Sequence, residues 1–276
     1  IVDGMRWSAG LTVAGVPPNA NPAKILNLSL GGPGACSSSY QNAINAINGV
    51  GAIVVIAAGN SNTNAANHQP GNCSSVVTVA ATDRDGNRTF YSNFGTVVEI
   101  SAPGGETNTN SPSPAPQNGV LSTLNTGLTT PGSPSYAYYQ GTSMAAPHIA
   151  GVLSLMASLN PTLNFTQSLQ ILQSTARSFP PGSNCTTSTC GSGIVDAAAA
   201  LNAVLNPPPT ATVTLGPSPT ATNTPRSGKS TKTPTPTRTP TATRTNTATV
   251  TPSATFTAVG PSATPTSTGT ATSTGT

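Results

Sequence analysis

Along residues 1–205, short β-branched runs alternate with longer stretches of helical period. Residues 25–30 (ILNLSL) form a mostly apolar run closed by Gly31-Gly32 and predict a strand. Residues 40–50 set Ile44 and Ile47 three apart and end at Gly49, which predicts a helix. Residues 52–58 (AIVVIAA) are continuously apolar, the pattern of a strand covered on both faces in a parallel sheet. Residues 76–81, 97–100 and 120–124 predict three more strands, and residues 103–118 a long Gly/Pro/Asn/Ser loop. Residues 144–159 predict a buried helix. Thr166 is expected to cap a helix running to about Arg177, and residues 194–205 form a third. Ile1, Val2, Met5, Trp7 and Ala9 are spaced like one face of an amphipathic helix. Such alternation predicts an α/β fold with a mostly parallel twisted sheet and helices on both faces.

The pattern stops at Asn206. Residues 206–276 are dominated by Thr, Pro and Ser, too polar to bury a core, and are expected to form a disordered, solvated stalk. Two segments follow: a domain at 1–205 and a low-complexity stalk at 206–276. The formal charge is +4. Arg226, Lys229, Lys232, Arg238 and Arg244 lie in the tail, whereas all the acidic residues lie before it. The positive balance is therefore no sign that the folded part binds nucleic acid. The tail's cations could associate with an anionic cell surface; the plainer reading is a spacer. No run of 18 apolar residues occurs, so no membrane span is predicted. The chain starts at Ile1 without a signal-like segment and is expected to begin inside a longer protein.

The cysteines are Cys36, Cys73, Cys185 and Cys190, which allow three pairings. Cys185 and Cys190 are five apart in a Ser/Thr-rich loop, a spacing suited to a local bridge, which leaves Cys36 with Cys73. A metal site is the competing use. No CxxC occurs and the histidines are not at ligand spacing, so disulfides and a secreted, extracellular protein are expected.

The chemistry centres on Gly141-Thr-Ser-Met-Ala-Ala-Pro-His-Ile-Ala-Gly151. Ser143 follows a Gly-Thr turn and opens an apolar helix, whose free N–H groups and dipole favour developing negative charge. Pro147 is expected early in that helix, where a missing N–H costs little. Alone, a Ser before a helix is ordinarily an N-cap. The whole string, however, resembles the nucleophile motif of the subtilisin-like serine peptidases. Asn27-Leu-Ser-Leu-Gly-Gly32, Ala57-Ala-Gly-Asn60, and Phe90-Tyr-Ser-Asn-Phe-Gly95 with Ala102-Pro-Gly104 resemble three further segments of that family, in the family's order. Within it the chain looks most like secreted bacterial, disulfide-containing members, lacking the N-terminal strands.

The resemblance implies a serine endopeptidase that hydrolyses polypeptides through an acyl-enzyme on Ser143. Asn60 would donate its side-chain amide to the oxyanion. An ordinary turn after Gly59 would explain Asn60 equally well without that context. Ser29, Leu30 and Gly31 would form one wall of the pocket for the residue before the scissile bond, with Gly59 opposite. An extended peptide could pair with the Ser29–Gly31 backbone. Leu28 and Leu30 are expected to share a core face. The Cys36–Cys73 bridge would brace both walls. The resemblance implies no cofactor for the chemistry and leaves room for structural calcium, for which these residues offer no carboxylate-rich loop.

A serine nucleophile needs a base and an orienting acid, and in this family both precede the cleft strand. Residues 1–24 contain Asp3 and no His. His68, in an Asn-rich loop, and His148, inside the helix motif, fit no triad position. Asp3 reads as a surface helix residue, and Asp83 and Asp85 as a solvated turn. The triad Asp and His are therefore expected upstream of Ile1, with this piece inactive by itself. The alternative is an inactive extracellular binding module on a stalk. A lipase-like esterase is disfavoured because no Gly-x-Ser-x-Gly occurs.

Overall fold

Four short strands, β1 (Ile25–Leu28), β3 (Ile53–Ala57), β5 (Val77–Thr82) and β6 (Ile100–Pro103), lie side by side in a parallel sheet of order β1-β3-β5-β6. This computed structural model describes residues 1–107 and 116–207. The expected stalk falls outside the described residues apart from its first two, as does the middle of the 103–118 loop.

Every residue of β3 and β5 is buried, because their apolar side chains alternate between two covered faces. Val55, Ala57, Val77, Val79 and Ile100 face one core, filled by Ala145, Ala146, Ile149, Leu153 and Met156 of α3 (Thr142–Leu159). Leu172 of α4 (Phe165–Thr175) and Ala200 of α5 (Ala197–Leu205) complete it. Leu26, Leu28, Val54 and Ile56 face the other core, against Met5 of α1 (Val2–Ser8) and Ile44 and Ile47 of α2 (Ser38–Gly49). Helices thus cover both faces, as the sequence predicts. The apolar character of α3 serves this packing: the helix lies against all four strands.

Several boundaries differ from expectation. The strand expected at 97–100 runs instead over Ile100–Pro103, because Ala102 and Pro103 pair with Ala81 and Thr82, and Val97 lies in a turn. The cap of α4 is Asn164 rather than Thr166. Asn164 Oδ1 accepts from the Gln167 N–H at 3.0 Å, and Gln167 Oε1 accepts from the Asn164 N–H at 3.1 Å. The last helix starts at Ala197, capped by Asp196, because Ile194 is drawn into bridges with Ser101 and Arg177. The strand at Val120–Asn125 (β7) pairs antiparallel with an unexpected partner, β8 (Pro134–Tyr139). Two-residue strands β2 (Gly32–Pro33) and β4 (His68–Gln69) also pair, and neither leaves a periodic trace in the sequence. Disulfides join Cys36 to Cys73 and Cys185 to Cys190, the pairing that the cysteine spacing favours.

Candidate active site

Ligand sites in parallel sheets form beyond the carboxyl ends of strands, and two such ends meet the start of α3 here. Ser29, Leu30 and Gly31 follow β1; Gly59 and Asn60 follow β3. Together with Ala57, His68, Thr142 and Ser143 they line a cleft of about 210 Å³.

Ser143 is the second residue of α3 and is half-buried. Gly141 precedes the helix at φ +147°, where a side chain would strain the backbone. Its N–H donates to the Gly104 carbonyl at 3.0 Å and to the Tyr91 hydroxyl at 2.9 Å. Tyr91 Oη in turn donates to the Gly105 carbonyl at 2.6 Å. A buried tyrosine thus fastens the turn that presents Ser143.

Burial pushes the Tyr91 phenol up to about 12, against smaller opposing effects of hydrogen bonds from Thr89 and Gly141. The folded-state value lies above the unfolded value near 10, so this contribution to stability is complete below pH 10. It is lost as pH rises from 10 towards 12, by about 3 kcal/mol. Unfolding midpoints across that range should fall more steeply in the wild type than in Tyr91→Phe. Parallel declines would exonerate Tyr91.

Pro147 lies in the interior of α3, further in than expected, since the helix already begins at Thr142. Its missing N–H leaves the Ser143 carbonyl without the usual intrahelical donor. Ser29 Oγ fills that place, donating to the Ser143 carbonyl at 2.8 Å while accepting from Asn27 Nδ2 at 3.0 Å. The Ser143 Oγ makes a long contact of 3.4 Å to the Ser29 carbonyl, and no described histidine bonds to it. Ser29→Ala should cost about 1 kcal/mol of stability and slow the reaction of Ser143 with a fluorophosphonate. Unchanged values for both would remove this role.

Asn60 is exposed, and its Oδ1 is doubly held: it accepts from the Thr142 N–H at 2.9 Å and from Thr142 Oγ1 at 2.8 Å. With the carbonyl end fixed, the Nδ2 donor is fixed too, and no described residue takes a hydrogen bond from it. Thr142 Oγ1 also accepts from the Gly59 N–H at 3.1 Å. Gly59 has φ +105° and cannot take a side chain cheaply. Asn93, fully buried, accepts from the Ser61 and Thr63 N–H groups at 3.0 Å each, and its Nδ2 donates to the Ala58 carbonyl at 2.9 Å. Asn93 is thus a positioning residue for the Asn60 turn whose role the sequence reading missed.

All of Ser143, Asn60, Ser29, Leu30, Gly31 and Gly59 come together. Leu30 departs from expectation in one respect. β1 ends at Leu28, so Leu30 leaves the core face and is 39% exposed while Leu28 stays buried. The Cys36–Cys73 bridge ties the chain after β2 to the chain after β4. His68 was expected to be an incidental loop residue; the β2–β4 pairing instead brings it into the cleft. His148 is exposed on α3, its Nδ1 2.8 Å from the Met144 carbonyl. Asp3 is an exposed residue of α1, and Asp83 closes the expected turn by accepting from the Asp85 and Asn87 N–H groups. Among the described residues no three His, Cys, Asp or Glu side chains converge.

The chain is similar to known proteases over most of this region. An extracellular protease of Xanthomonas campestris is 47% identical over 207 residues, covering 75% of this chain and 33% of that protein. An extracellular basic protease of Dichelobacter nodosus is 43% identical over 209 residues, covering 74% of this chain and 32% of that protein. A solved protease structure from Pseudoalteromonas arctica superposes with a TM-score of 0.68 at 50% identity, covering 74% of this chain and 57% of that one. The chain therefore spans about a third of the length of these two curated relatives. The sequence profile of peptidase S8, the subtilase family, matches residues 1–203. With the sheet, the cleft and the Gly141–Gly151 string in place, the chain belongs to the subtilase family.

Proposed function

We propose that this chain is the nucleophile-bearing part of a secreted serine endopeptidase, with Ser143 as the acylated residue. The observation that carries this is the convergence of Ser143, at the start of α3, with Asn60, whose amide is held by Thr142. A peptide carbonyl seated beside Ser143 would become an oxyanion on attack. The Asn60 Nδ2 and the Ser143 N–H are the donors available to it, and the helix N-terminus adds to their field.

The substrate backbone lies along Ser29–Gly31, and its preceding side chain enters between Gly31 and Gly59. Ser143 must lose a proton to react. Its base and orienting acid are residues that precede Ile1, because no described histidine reaches the Ser143 Oγ. No cofactor takes part in these steps. Substrates are polypeptides met outside the cell, in keeping with the names of the two curated relatives. The Thr/Pro-rich segment is a spacer whose cations could hold the enzyme near an anionic surface.

The test is labelling of the longer protein with a fluorophosphonate, followed by peptide mapping. The label is expected on Ser143 alone. Casein hydrolysis that survives without any label on Ser143 would overturn the assignment.

A further inference from the structure

Asn60 sits on an exposed turn. Residues 60–64 are all exposed, so hydrogen bonds rather than packing set the shape of the chain that carries the Asn60 amide. Two residues on, Asn62 stands in the left-handed region at φ +51°, which asparagine adopts more readily than most residues. Its N–H donates to the Tyr91 carbonyl at 2.8 Å. Its Oδ1 accepts from Arg88 Nη1, also at 2.8 Å.

The same Arg88 Nη1 donates to the Ser92 carbonyl at 2.6 Å. A terminal guanidinium nitrogen carries two hydrogens, and these two short bonds use both. Ser92 precedes Asn93, whose amide already holds the backbone of Ala58, Ser61 and Thr63. Arg88 therefore fastens the outer side of the turn to the segment that carries Asn93. Its guanidinium carbon lies 4.7 Å from the centre of the Phe94 ring, so the group is stacked as well as bonded.

A cation in this place is costly. Arg88 is half-buried, and among the described residues its hydrogen-bond partners are all uncharged. Burial lowers its pKa from the usual value, though a guanidinium stays charged at neutral pH. The backbone of Arg88 is clamped as well. The Asn184 side chain accepts from the Arg88 N–H at 2.6 Å and donates to the Arg88 carbonyl at 3.2 Å. Asn184 adjoins the Cys185–Cys190 bridge, and inside that loop the Thr189 carbonyl accepts from the Gly95 N–H at 2.9 Å. A disulfide-closed loop thus steadies both the arginine and the far end of the Asn93 segment.

Resting on the peptidase reading above, we propose that Arg88 is a positioning residue for the oxyanion donor. By holding Asn62 and Ser92 together it fixes the turn that aims the Asn60 amide into the cleft beside Ser143. Thr142 holds the amide, and Arg88 holds the backbone that carries it. Arg88 acts through Asn60 rather than on the substrate, so its loss should weaken the transition state and leave ground-state affinity alone.

The experiment uses the longer protein and a peptide anilide. Arg88→Met keeps an apolar stem over Phe94 and removes the donors. It is expected to lower kcat about tenfold, less than the loss of a whole oxyanion donor, with KM within about twofold of wild type. Arg88→Lys, which has donors but no flat group to stack, should fall between the two. In an Asn60→Ala background Arg88→Met should cost less than about twofold, because the donor it aims is gone. A merely structural arginine would lower the unfolding midpoint and multiply its loss with that of Asn60→Ala. A wild-type kcat in folded Arg88→Met overturns the proposal, as does a change confined to KM or a loss fully multiplied by Asn60→Ala. If Arg88→Met fails to fold, Arg88→Lys is carried through the same cycle and decides on the same results. An Asn60→Ala variant with wild-type kcat overturns the proposal and leaves Ser143 standing as nucleophile. A wild type that takes no fluorophosphonate label on Ser143 and cleaves no peptide overturns the peptidase reading as well.

Discussion

Ser143→Ala in the longer protein is expected to reduce peptide hydrolysis by about 10⁶-fold, a figure known for the nucleophile of subtilisin itself. The expectation rests on the position of the hydroxyl more than on its identity. Ser143 lies in the first turn of α3, half-buried, where backbone N–H groups lack intrahelical acceptors. The Ser143 carbonyl would keep its bond from Ser29 Oγ, so the fold should be unaffected. The loss should therefore appear in kcat, with unfolding midpoint and peptide affinity close to wild type. Substantial turnover in a folded Ser143→Ala protein would move the nucleophile elsewhere.

The second large effect is expected at Asn60. Asn60→Ala should lower kcat by about 10²- to 10³-fold with little change in KM, the cost of one oxyanion donor as known from subtilisin. The structure adds a relay to this expectation. Among the described residues, Asn60 Oδ1 is held by Thr142 alone, through its N–H and its Oγ1. Thr142→Val removes the hydroxyl and leaves the N–H, so Asn60 should be half released. Its kcat should fall by about tenfold, and in an Asn60→Ala background Thr142→Val should cost much less, because the two act as a unit. Fully additive losses would show that Thr142 does not act through Asn60.

How far the sequence disclosed the fold depended on the length of each signal. The two-sided burial of β3 and the long apolar stretch of α3 were legible because each repeats its pattern over several residues. The cap of α4 was misplaced because Asn164 and Thr166 are both good caps, and only the reciprocal Gln167 bond separates them. β2 and β4 have two residues each, too short for any period. Ser143, Asn60 and the glycines were legible through motif resemblance. His68 was not, since its place in the cleft comes from the β2–β4 register rather than from neighbours in the chain. Tyr91 and Asn93 stood inside a recognisable segment, but their work of fastening the Gly141 and Asn60 turns exists only in three dimensions.

The bond from Ser29 Oγ to the Ser143 carbonyl also has a mechanical side. It exists because Pro147 withholds a donor, and it couples the end of β1 to the first turn of α3 across 114 positions of sequence. One jaw of the cleft is thereby latched to the nucleophile and cannot splay outward without unlatching. Any outward movement of that jaw therefore has to break this bond, at a cost of about 1 kcal/mol.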